Sequence, residues 1–185
     1  EYLLDVLVAA FERLAPAGAI FVGDVRSRAL LEAMLCEIEL QKAASGAPAG
    51  ELQARLKKRL DEESELVLDP NLFLSLRQRL PEVEDVQVEL KLGRQPSEMT
   101  RFRYDVVIRK RGGTPRLPTV TNTRRAPEPC TLEALKTMVR SGPTSLRITG
   151  IPNARVSAPL AALGALQARS PADRPHTVRP PALHS

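Results

Sequence analysis

The chain has 185 residues, of which 43% are hydrophobic and 3% aromatic, and this is enough for one globular domain with an appendage. Its formal net charge of +5 is unevenly placed, with −6 over residues 1–100 and +11 over residues 101–185. No apolar run approaches the roughly 20 residues of a membrane span, and two isolated cysteines, Cys36 and Cys130, argue against a disulfide framework and a CxxC metal site.

These totals set expectations for compartment and partners. Two lone cysteines indicate a reducing, cytoplasmic setting with no metal, and we expect Cys36 to be a small buried hydrophobe on a helix. Arginines in the basic half are scattered among prolines without aromatic residues to stack on bases, which argues against a nucleic-acid partner. The lack of a long apolar run argues against a membrane partner. Because the chain opens on Glu1 in a helical pattern, we interpret it as a piece of something longer.

The first elements along the chain are a helix and a strand. Apolar residues at three- and four-residue spacing predict an amphipathic helix over 3–14, which Pro16 and Gly18 end. The next four residues, Ala19–Val22, are all apolar, which is typical of a parallel strand covered on both faces. A helix, a short break and a buried strand predict one half of a right-handed crossover.

Three helices are predicted next. Ser27 is a candidate N-cap for a helix that runs to Leu40, and a loop over 45–50 follows. Residues 51–64 form a charged helix with a narrow leucine stripe. Residues 65–70 are predicted to be extended, and 72–80 to form the third helix.

Apolar and polar residues alternate over 86–92 and 101–108, which predicts two strands that each have one solvent-exposed face. The connection over 93–100 is short and contains Gly and Pro, so we expect an antiparallel pair. Eleven of the sixteen prolines lie at or beyond Pro115, which indicates a boundary near Gly112.

The sequence therefore predicts an α/β domain over 1–112, a Pro-rich linker with a small helix–strand–helix extension over 113–168, and a disordered tail over 169–185. The elements of the extension are a helix over 131–139 with Thr131 as N-cap, a strand over 145–149 and a helix over 157–168. His176 and His184 fall in the tail and are interpreted as bystanders.

Four segments in chain order carry a family resemblance. They are 20–26 (IFVGDVR), 30–31 (LL), 65–70 (ELVLDP) and 98–107 (EMTRFRYDVV). With this order and spacing, residues 1–110 resemble the methyltransferase domains embedded in nonribosomal peptide synthetases, and 131–168 are similar to the extension after their last strand. The resemblance implies the C-terminal half of a class I, Rossmann-like methyltransferase sheet, in which the last strand inserts antiparallel beside its predecessor.

The resemblance also implies a reaction and its partners. S-adenosyl-L-methionine would be the cofactor of the intact domain, and the substrate would be an aminoacyl or peptidyl group on a carrier protein, in nonribosomal peptide or hybrid polyketide biosynthesis. The family's glycine-rich loop, which cradles the cofactor, is absent from this chain. We therefore expect the chain alone to be inactive and to need the upstream half of the domain, beside neighbouring synthetase domains. The family's usual histidine after GDVR is also missing, since 33–37 read AMLCE.

Asp24 and Arg26 come just after the predicted strand and are the catalytic candidates. Ligands of open α/β sheets bind outside the carboxyl ends of the strands. In this interpretation Asp24 positions the nucleophile or accepts its proton, and Arg26 fixes a carbonyl group or orders the loop. The alternative is structural, with Asp24 capping the following helix and pairing with Arg26 or Arg28.

Glu98, Arg101 and Arg103 are the candidates for substrate binding, because a guanidinium binds a phosphate, such as that of phosphopantetheine, through two hydrogen bonds. We expect both arginines to share the strand face opposite Phe102 and Tyr104. The alternative is a Glu98–Arg101 salt bridge that holds the hairpin. Tyr104 is interpreted as a core residue with a hydrogen-bonded hydroxyl group.

Two other functions stay open. A half sheet leaves an exposed strand edge and an open face, so the chain could be a noncatalytic methyltransferase remnant that docks synthetase domains. A nucleic-acid binder rests only on the basic tail, and it predicts salt-sensitive binding to any duplex.

Overall fold

The computed structural model describes residues 2–44, 47–112, 120 and 122–170. The chain divides into two compact units, one made of Glu1–Gly113 with Arg155–Ser185 and the other of Thr114–Ala154. Except for its first two residues, the predicted tail over 169–185, with both histidines, lies outside the described residues.

The regular elements include both helices and strands, as expected of an α/β fold. In chain order they are α1 (Tyr2–Glu12), β1 (Ala19–Ser27), a 3-10 turn (Arg28–Leu30), α2 (Leu31–Lys42), α3 (Ala49–Asp61), β2 (Val67–Leu68), α4 (Pro70–Leu74), α5 (Leu76–Arg79), β3 (Val83–Leu90), α6 (Glu98–Phe102), β4 (Arg103–Lys110), β5 (Asn122–Arg125), α7 (Leu132–Arg140), β6 (Leu146–Thr149) and α8 (Ala154–Gln167).

The first unit is built on a four-stranded sheet with the strand order β2-β1-β4-β3. The last strand, β4, lies between β1 and β3 and is antiparallel to both. β2 is parallel to β1 and pairs with it only at Arg26 and Ser27. The predicted antiparallel pair is confirmed by β3 and β4, and the sheet mixes one parallel with two antiparallel pairings.

The prediction for β1 is wrong in two respects. Its neighbour along most of its length is the antiparallel β4, and Phe21 is 65% exposed, so the strand is not covered on both faces. Burial instead alternates along the strand, because one face packs on helices and the other does not. The strand also continues to Ser27, which places Asp24 and Arg26 inside it rather than beyond its end.

Two separate hydrophobic clusters form the core of the first unit. One lies where α1, α4 and α5 cover one face of the sheet, with Phe11, Phe73 and Tyr104 among its buried side chains. The other joins α2, α3 and α8 and includes Phe102 at the end of α6. Cys36 belongs to this second cluster and is 1% exposed, which confirms that it is a small buried hydrophobe on a helix.

Local side-chain chemistry sets several helix starts. The Asp69 carboxylate accepts a hydrogen bond from the Asn71 backbone N–H at 2.8 Å, and Pro70 occupies the first helical position of α4. Thr131 caps α7 as predicted, because its hydroxyl accepts from the Ala134 N–H at 3.2 Å. Ser27 precedes the 3-10 turn but makes no capping hydrogen bond.

The second unit contains a small parallel sheet. β5 pairs with β6 in the register Asn122↔Leu146 to Arg125↔Thr149, with α7 between them in sequence. The alternation rule did not predict β5, because its four residues are all exposed and polar. The helix that the sequence places in the same extension, α8, instead buries Val156, Leu163 and Leu166 in a cluster of the first unit.

Among the described residues, the structure has no helix that is both long and apolar enough to cross a membrane.

Candidate functional site

The candidate site begins with a β-bulge in β1. Val22 pairs with Val106 and Val25 pairs with Tyr104, so Gly23 and Asp24 together oppose the single residue Asp105. Asp24 has a φ of 65°, which is the left-handed conformation that Asp tolerates better than most residues. Its backbone N–H donates to Asp105 Oδ1 at 2.8 Å, and this hydrogen bond replaces the one lost from the ladder.

The Asp24 carboxylate is held by two cations. Lys91 Nζ lies 3.1 Å from Oδ1, and Arg103 Nη1 lies 3.5 Å from Oδ2. Arg103 Nη1 also donates to the Asp24 carbonyl oxygen at 3.4 Å. The expected cap on the following helix and the pairing with Arg26 or Arg28 do not occur. Asp24 therefore contacts residues that follow it by more than 60 positions.

Arg26 and Arg103 face each other across the β1–β4 pairing, where two like charges would repel. Glu65 and Glu98 both bridge them. Glu65 contacts Arg26 at 2.5 Å and Arg103 at 3.2 Å, and Glu98 contacts them at 3.4 and 3.0 Å. Glu63 adds a further contact to Arg26 at 2.9 Å. The two arginines are stable side by side because carboxylates lie between and around them.

We call the connected side chains the ionic cluster. Among the described residues it consists of three cations and five carboxylates: Asp24, Arg26, Glu63, Glu65, Lys91, Glu98, Arg103 and Asp105. The carboxylates outnumber the cations, so the cluster is formally negative. Both arginine side chains are at most 15% exposed, whereas those of Asp24, Glu65 and Glu98 are 39–43% exposed. The two arginines are buried underneath, and Asp24, Glu65 and Glu98 form the most accessible part of the cluster.

The electrostatics of the cations follow from these contacts. Hydrogen bonds to Asp105 and then to Asp24 raise the pKa of Lys91. Burial alone would lower the pKa of Arg103, but its hydrogen bond to Glu98 and the charges of Glu65, Glu98 and Asp24 raise it. Both cations therefore stay charged at neutral pH and neither can act as a base.

Of the five candidate site residues, the structure brings together Asp24, Arg26, Glu98 and Arg103. Arg101 does not join them: it lies on α6, as Glu98 does, but its side chain pairs with α2 instead. Its guanidinium binds the Glu37 carboxylate of α2 through two hydrogen bonds at 2.8 and 2.6 Å. The shared face for the two arginines and the Glu98–Arg101 salt bridge are both wrong, because Arg101 pairs with Glu37 whereas Glu98 pairs with Arg103.

Tyr104 is a core residue, as predicted from the sequence. Its hydroxyl donates to the Leu68 carbonyl oxygen at 3.0 Å and its ring packs edge-on against Phe73. Burial, with the nearby Asp69 charge, raises its pKa to about 12. A phenol that stays protonated to this pH does not serve as a general base near neutrality.

The sequence reasoning missed four members of the ionic cluster: Glu63, Glu65, Lys91 and Asp105. Two carried a signal, since Glu65 opens the ELVLDP segment and Asp105 follows Tyr104 in the alternating strand. The role of Lys91 could not be predicted from a sequence pattern, because it depends on where β3 ends relative to the bulge in β1.

The described residues form neither a glycine-rich cofactor loop nor a cluster of metal ligands. No strand in the sequence is followed by a glycine-rich loop, and the described residues include no group of three or more His, Cys, Asp or Glu arranged for a metal ion. Gly23 does not form a nucleotide cradle, because a Cβ there would come within 2.6 Å of the Phe21 ring. The described residues therefore include no glycine-rich cradle for an adenosyl group.

Comparison with known proteins finds that the chain is similar to short stretches of large synthetases. A chondramide synthase (cmdD) of Chondromyces crocatus is 35% identical over 178 residues, which cover 93% of this chain and 4% of the synthase. CymA of Salinispora arenicola, a probable nonribosomal peptide synthetase, is 33% identical over 163 residues, or 88% of this chain and 2% of CymA. The cyclosporin synthetase simA of Tolypocladium inflatum is 32% identical over 108 residues, or 58% of this chain and 1% of that enzyme.

No protein-family model matches the chain. Its homologues are nonribosomal peptide synthetases, enzymes of secondary metabolism, and the chain spans only a few per cent of the length of each of these three relatives.

Proposed function

We propose that the chain is the acceptor-side part of an S-adenosyl-L-methionine-dependent methyltransferase domain in a nonribosomal peptide synthetase. Its substrate is an aminoacyl or peptidyl group tethered to a carrier protein. The proposal is supported by synthetase homologues and by a sheet whose last strand is antiparallel to both of its neighbours.

One observation carries the proposal. Asp24, Arg26, Glu98 and Arg103, which lie in two separate segments of the sequence, share one ionic cluster at a bulge near the carboxyl end of β1. Bulges often re-aim a side chain next to an active site. A charged group held in a strained conformation at such a place is a functional candidate on physical grounds.

The cluster suits the handling of an acceptor. The intact domain's cofactor supplies the methyl group, and residues outside this chain bind it. An attacking amine must be unprotonated and held in line, so a carboxylate that receives its hydrogen bond and its proton promotes the reaction. Asp24 is placed for this role because Lys91 and Arg103 fix its carboxylate and its side chain is 39% exposed.

The remaining members of the ionic cluster have supporting roles in this proposal. Arg26 and Arg103 lie beneath the accessible carboxylates and keep them in place without contacting the ligand directly. Arg101, which the Glu37 carboxylate already occupies, orders α6 against α2 rather than binding phosphate.

The upstream half of the domain is the proposed partner of the open sheet edge. From Ala19 to Val25, β1 pairs with β4 on one side and with no other strand among the described residues. Such an edge presents unpaired backbone groups, and a further strand paired with β1 on the side away from β4 would satisfy them.

The test compares the chain alone with the intact synthetase domain. The intact domain, given S-adenosyl-L-methionine and an aminoacyl-loaded carrier protein, should yield a product heavier by one methyl group in mass spectrometry. Calorimetry on the isolated chain should detect no micromolar binding of the cofactor. An intact domain that binds the cofactor but never methylates any carrier-bound substrate would rule out this function.

One observation favours a second candidate, a noncatalytic docking module. The acidic groups of the ionic cluster are already paired with cations of the same chain, which is what a purely structural network requires. Size-exclusion chromatography distinguishes the two. A stable, cooperative monomer of the isolated chain favours the module, and aggregation through the open β1 edge favours an interrupted catalytic domain.

A further inference from the structure

The loop between β3 and α6, residues 91–97, is closed by a hydrogen-bond hub at Thr100. The Thr100 hydroxyl donates to the Gln95 carbonyl oxygen at 3.0 Å and accepts from the Ser97 N–H at 2.9 Å. The Ser97 hydroxyl accepts in turn from the Thr100 N–H at 3.3 Å, which completes a capping box at the start of α6.

Gly93 lets the two limbs of this loop touch. A Cβ at position 93 would lie 2.5 Å from the Thr100 side-chain methyl group. Real Cβ atoms do not approach a neighbour so closely, so only glycine permits this contact without a shift of Thr100. The loop is therefore shaped to bring its start and its end together.

A residue distant in sequence, Arg155, holds the closed loop by hydrogen bonds to its carbonyl groups. Arg155, at the start of α8, donates from Nη1 to the Lys91 carbonyl oxygen at 2.7 Å and to that of Thr100 at 3.5 Å. Its Nη2 donates to the Gly93 carbonyl oxygen at 3.0 Å. A guanidinium has five N–H donors in a fixed plane, so it can donate to several carbonyl groups at once, whereas an ammonium group has only three donors and no fixed plane.

The two limbs that Arg155 joins both lead into the ionic cluster. The residue whose carbonyl it binds first, Lys91, sends its ammonium group to Asp24 and Asp105, at 3.1 and 3.0 Å. The other limb carries Glu98, which bridges Arg26 and Arg103. Holding the limbs together therefore fixes the distance between a cation and a carboxylate of the cluster.

We propose that Arg155 is a positioning residue of the candidate site, which acts through the 91–97 loop to place Lys91 and Glu98 around Asp24. The role of Arg155 in catalysis rests on the proposed function, whereas its control of the loop does not.

The test uses hydrogen–deuterium exchange on the full chain. In Arg155→Met, amides of residues 93–101 should exchange about tenfold faster, because the loop opens locally without global unfolding. Amides of β4 should keep their wild-type rates. The control is Arg147→Met, which removes an exposed arginine of the second unit. Equal exchange of 93–101 in the two variants would overturn the proposal.

A second readout reports on the site itself. An NMR titration of Lys91 should show that its raised pKa moves toward the ordinary lysine value in Arg155→Met and not in Arg147→Met, since the ammonium loses its fixed partners. Arg155→Lys keeps the positive charge but not the planar guanidinium, so the pKa of Lys91 in this variant should lie between the values in Arg155→Met and Arg147→Met. If Arg155→Met fails to fold, Arg155→Lys replaces it. An unchanged Lys91 titration would show that Arg155 orders the loop without positioning the site. Neither experiment depends on methyl transfer.

Discussion

The two ends of β4 both hold cations, but in different surroundings. At its carboxyl end, Lys110 donates to the carbonyl oxygens of Phe11 and Leu14 at 3.4 and 3.2 Å and pairs with Glu82 at 3.2 Å. Its ammonium also lies 5.3 Å from the centre of the Phe11 ring. At the amino end, Arg103 contacts carboxylates at three positions of the chain.

The difference separates a structural cation from a candidate site. Lys110 ties the end of α1 to the sheet, and its one carboxylate partner balances its charge. The ionic cluster holds more carboxylates than cations and keeps three of them accessible, which a purely structural arrangement does not need. Substitutions at the two ends of β4 should therefore change the stability of the chain in different ways.

The largest effect on stability is expected for Arg26→Met. Removal of this guanidinium leaves Glu63, Glu65 and Glu98 without one of their cations and facing one another. We expect the free energy of unfolding to fall by about 2–4 kcal/mol, measured by urea denaturation. Because the remaining repulsion is electrostatic, about 1 M salt should recover part of the loss. A salt-independent loss would show that packing, not charge, dominates at this position.

A smaller effect that depends less on salt is expected for Lys110→Met, because its one carboxylate partner, Glu82, is exposed. The variant loses hydrogen bonds to main-chain carbonyl groups and a cation–π contact, so we expect a loss of about 1–2 kcal/mol in the same measurement. The matched control is Lys57→Met, an exposed lysine of α3, which should change stability very little. If both lysine variants behaved alike, the structural role of Lys110 would be wrong.

The buried core should make the fold sensitive to alkaline pH. Burial, with the nearby charges of Glu32 and Glu37, raises the pKa of the Cys36 thiol from 9.0 to about 11. The unfolded chain therefore releases this proton first, so the stabilisation is complete below about pH 9 and is lost as the pH rises through about 11. Urea midpoints measured across this range should fall less steeply in Cys36→Ala, and an unchanged slope would contradict the assignment.

The smallest expected effect is a difference in chemical labelling between the two cysteine thiols. Cys130 is partly exposed, whereas Cys36 is 1% exposed and protonated. A thiol reagent near neutral pH should label Cys130 in the folded chain and reach Cys36 only after denaturation, as followed by mass spectrometry. Labelling of both at equal rates would mean that the cluster around α2 opens readily.

Hydrophobic periodicity was enough to locate most elements of the first unit. It predicted α1, the α2 and α3 helices and the antiparallel pair of β3 and β4, because each has a clear apolar face. It failed at α6, where the alternation of 101–108 suggested strand from its first residue. The helical turn at Glu98–Phe102 depends on the Ser97–Thr100 capping box, which acts on the residues before the alternation begins.

The candidate site was only partly predictable. The resemblance selected Asp24, Arg26, Glu98 and Arg103, and the structure brings these four side chains together. Their partners were assigned to neighbours in sequence, whereas the observed contacts link positions that are tens of residues apart. Register across β1 and β4, and the bulge that shifts it, decide these pairs, and neither follows from local pattern.

The most direct test of the central claim compares Asp24→Asn with Lys110→Met in the intact synthetase domain. The rate of methyl transfer to the carrier-bound substrate is measured per folded molecule. If the ionic cluster handles the acceptor, Asp24→Asn should lose about 100-fold in rate with little change in stability, and Lys110→Met should keep its rate. Wild-type methylation by Asp24→Asn, or an equal loss in both variants, would contradict the assignment of the ionic cluster as the acceptor site.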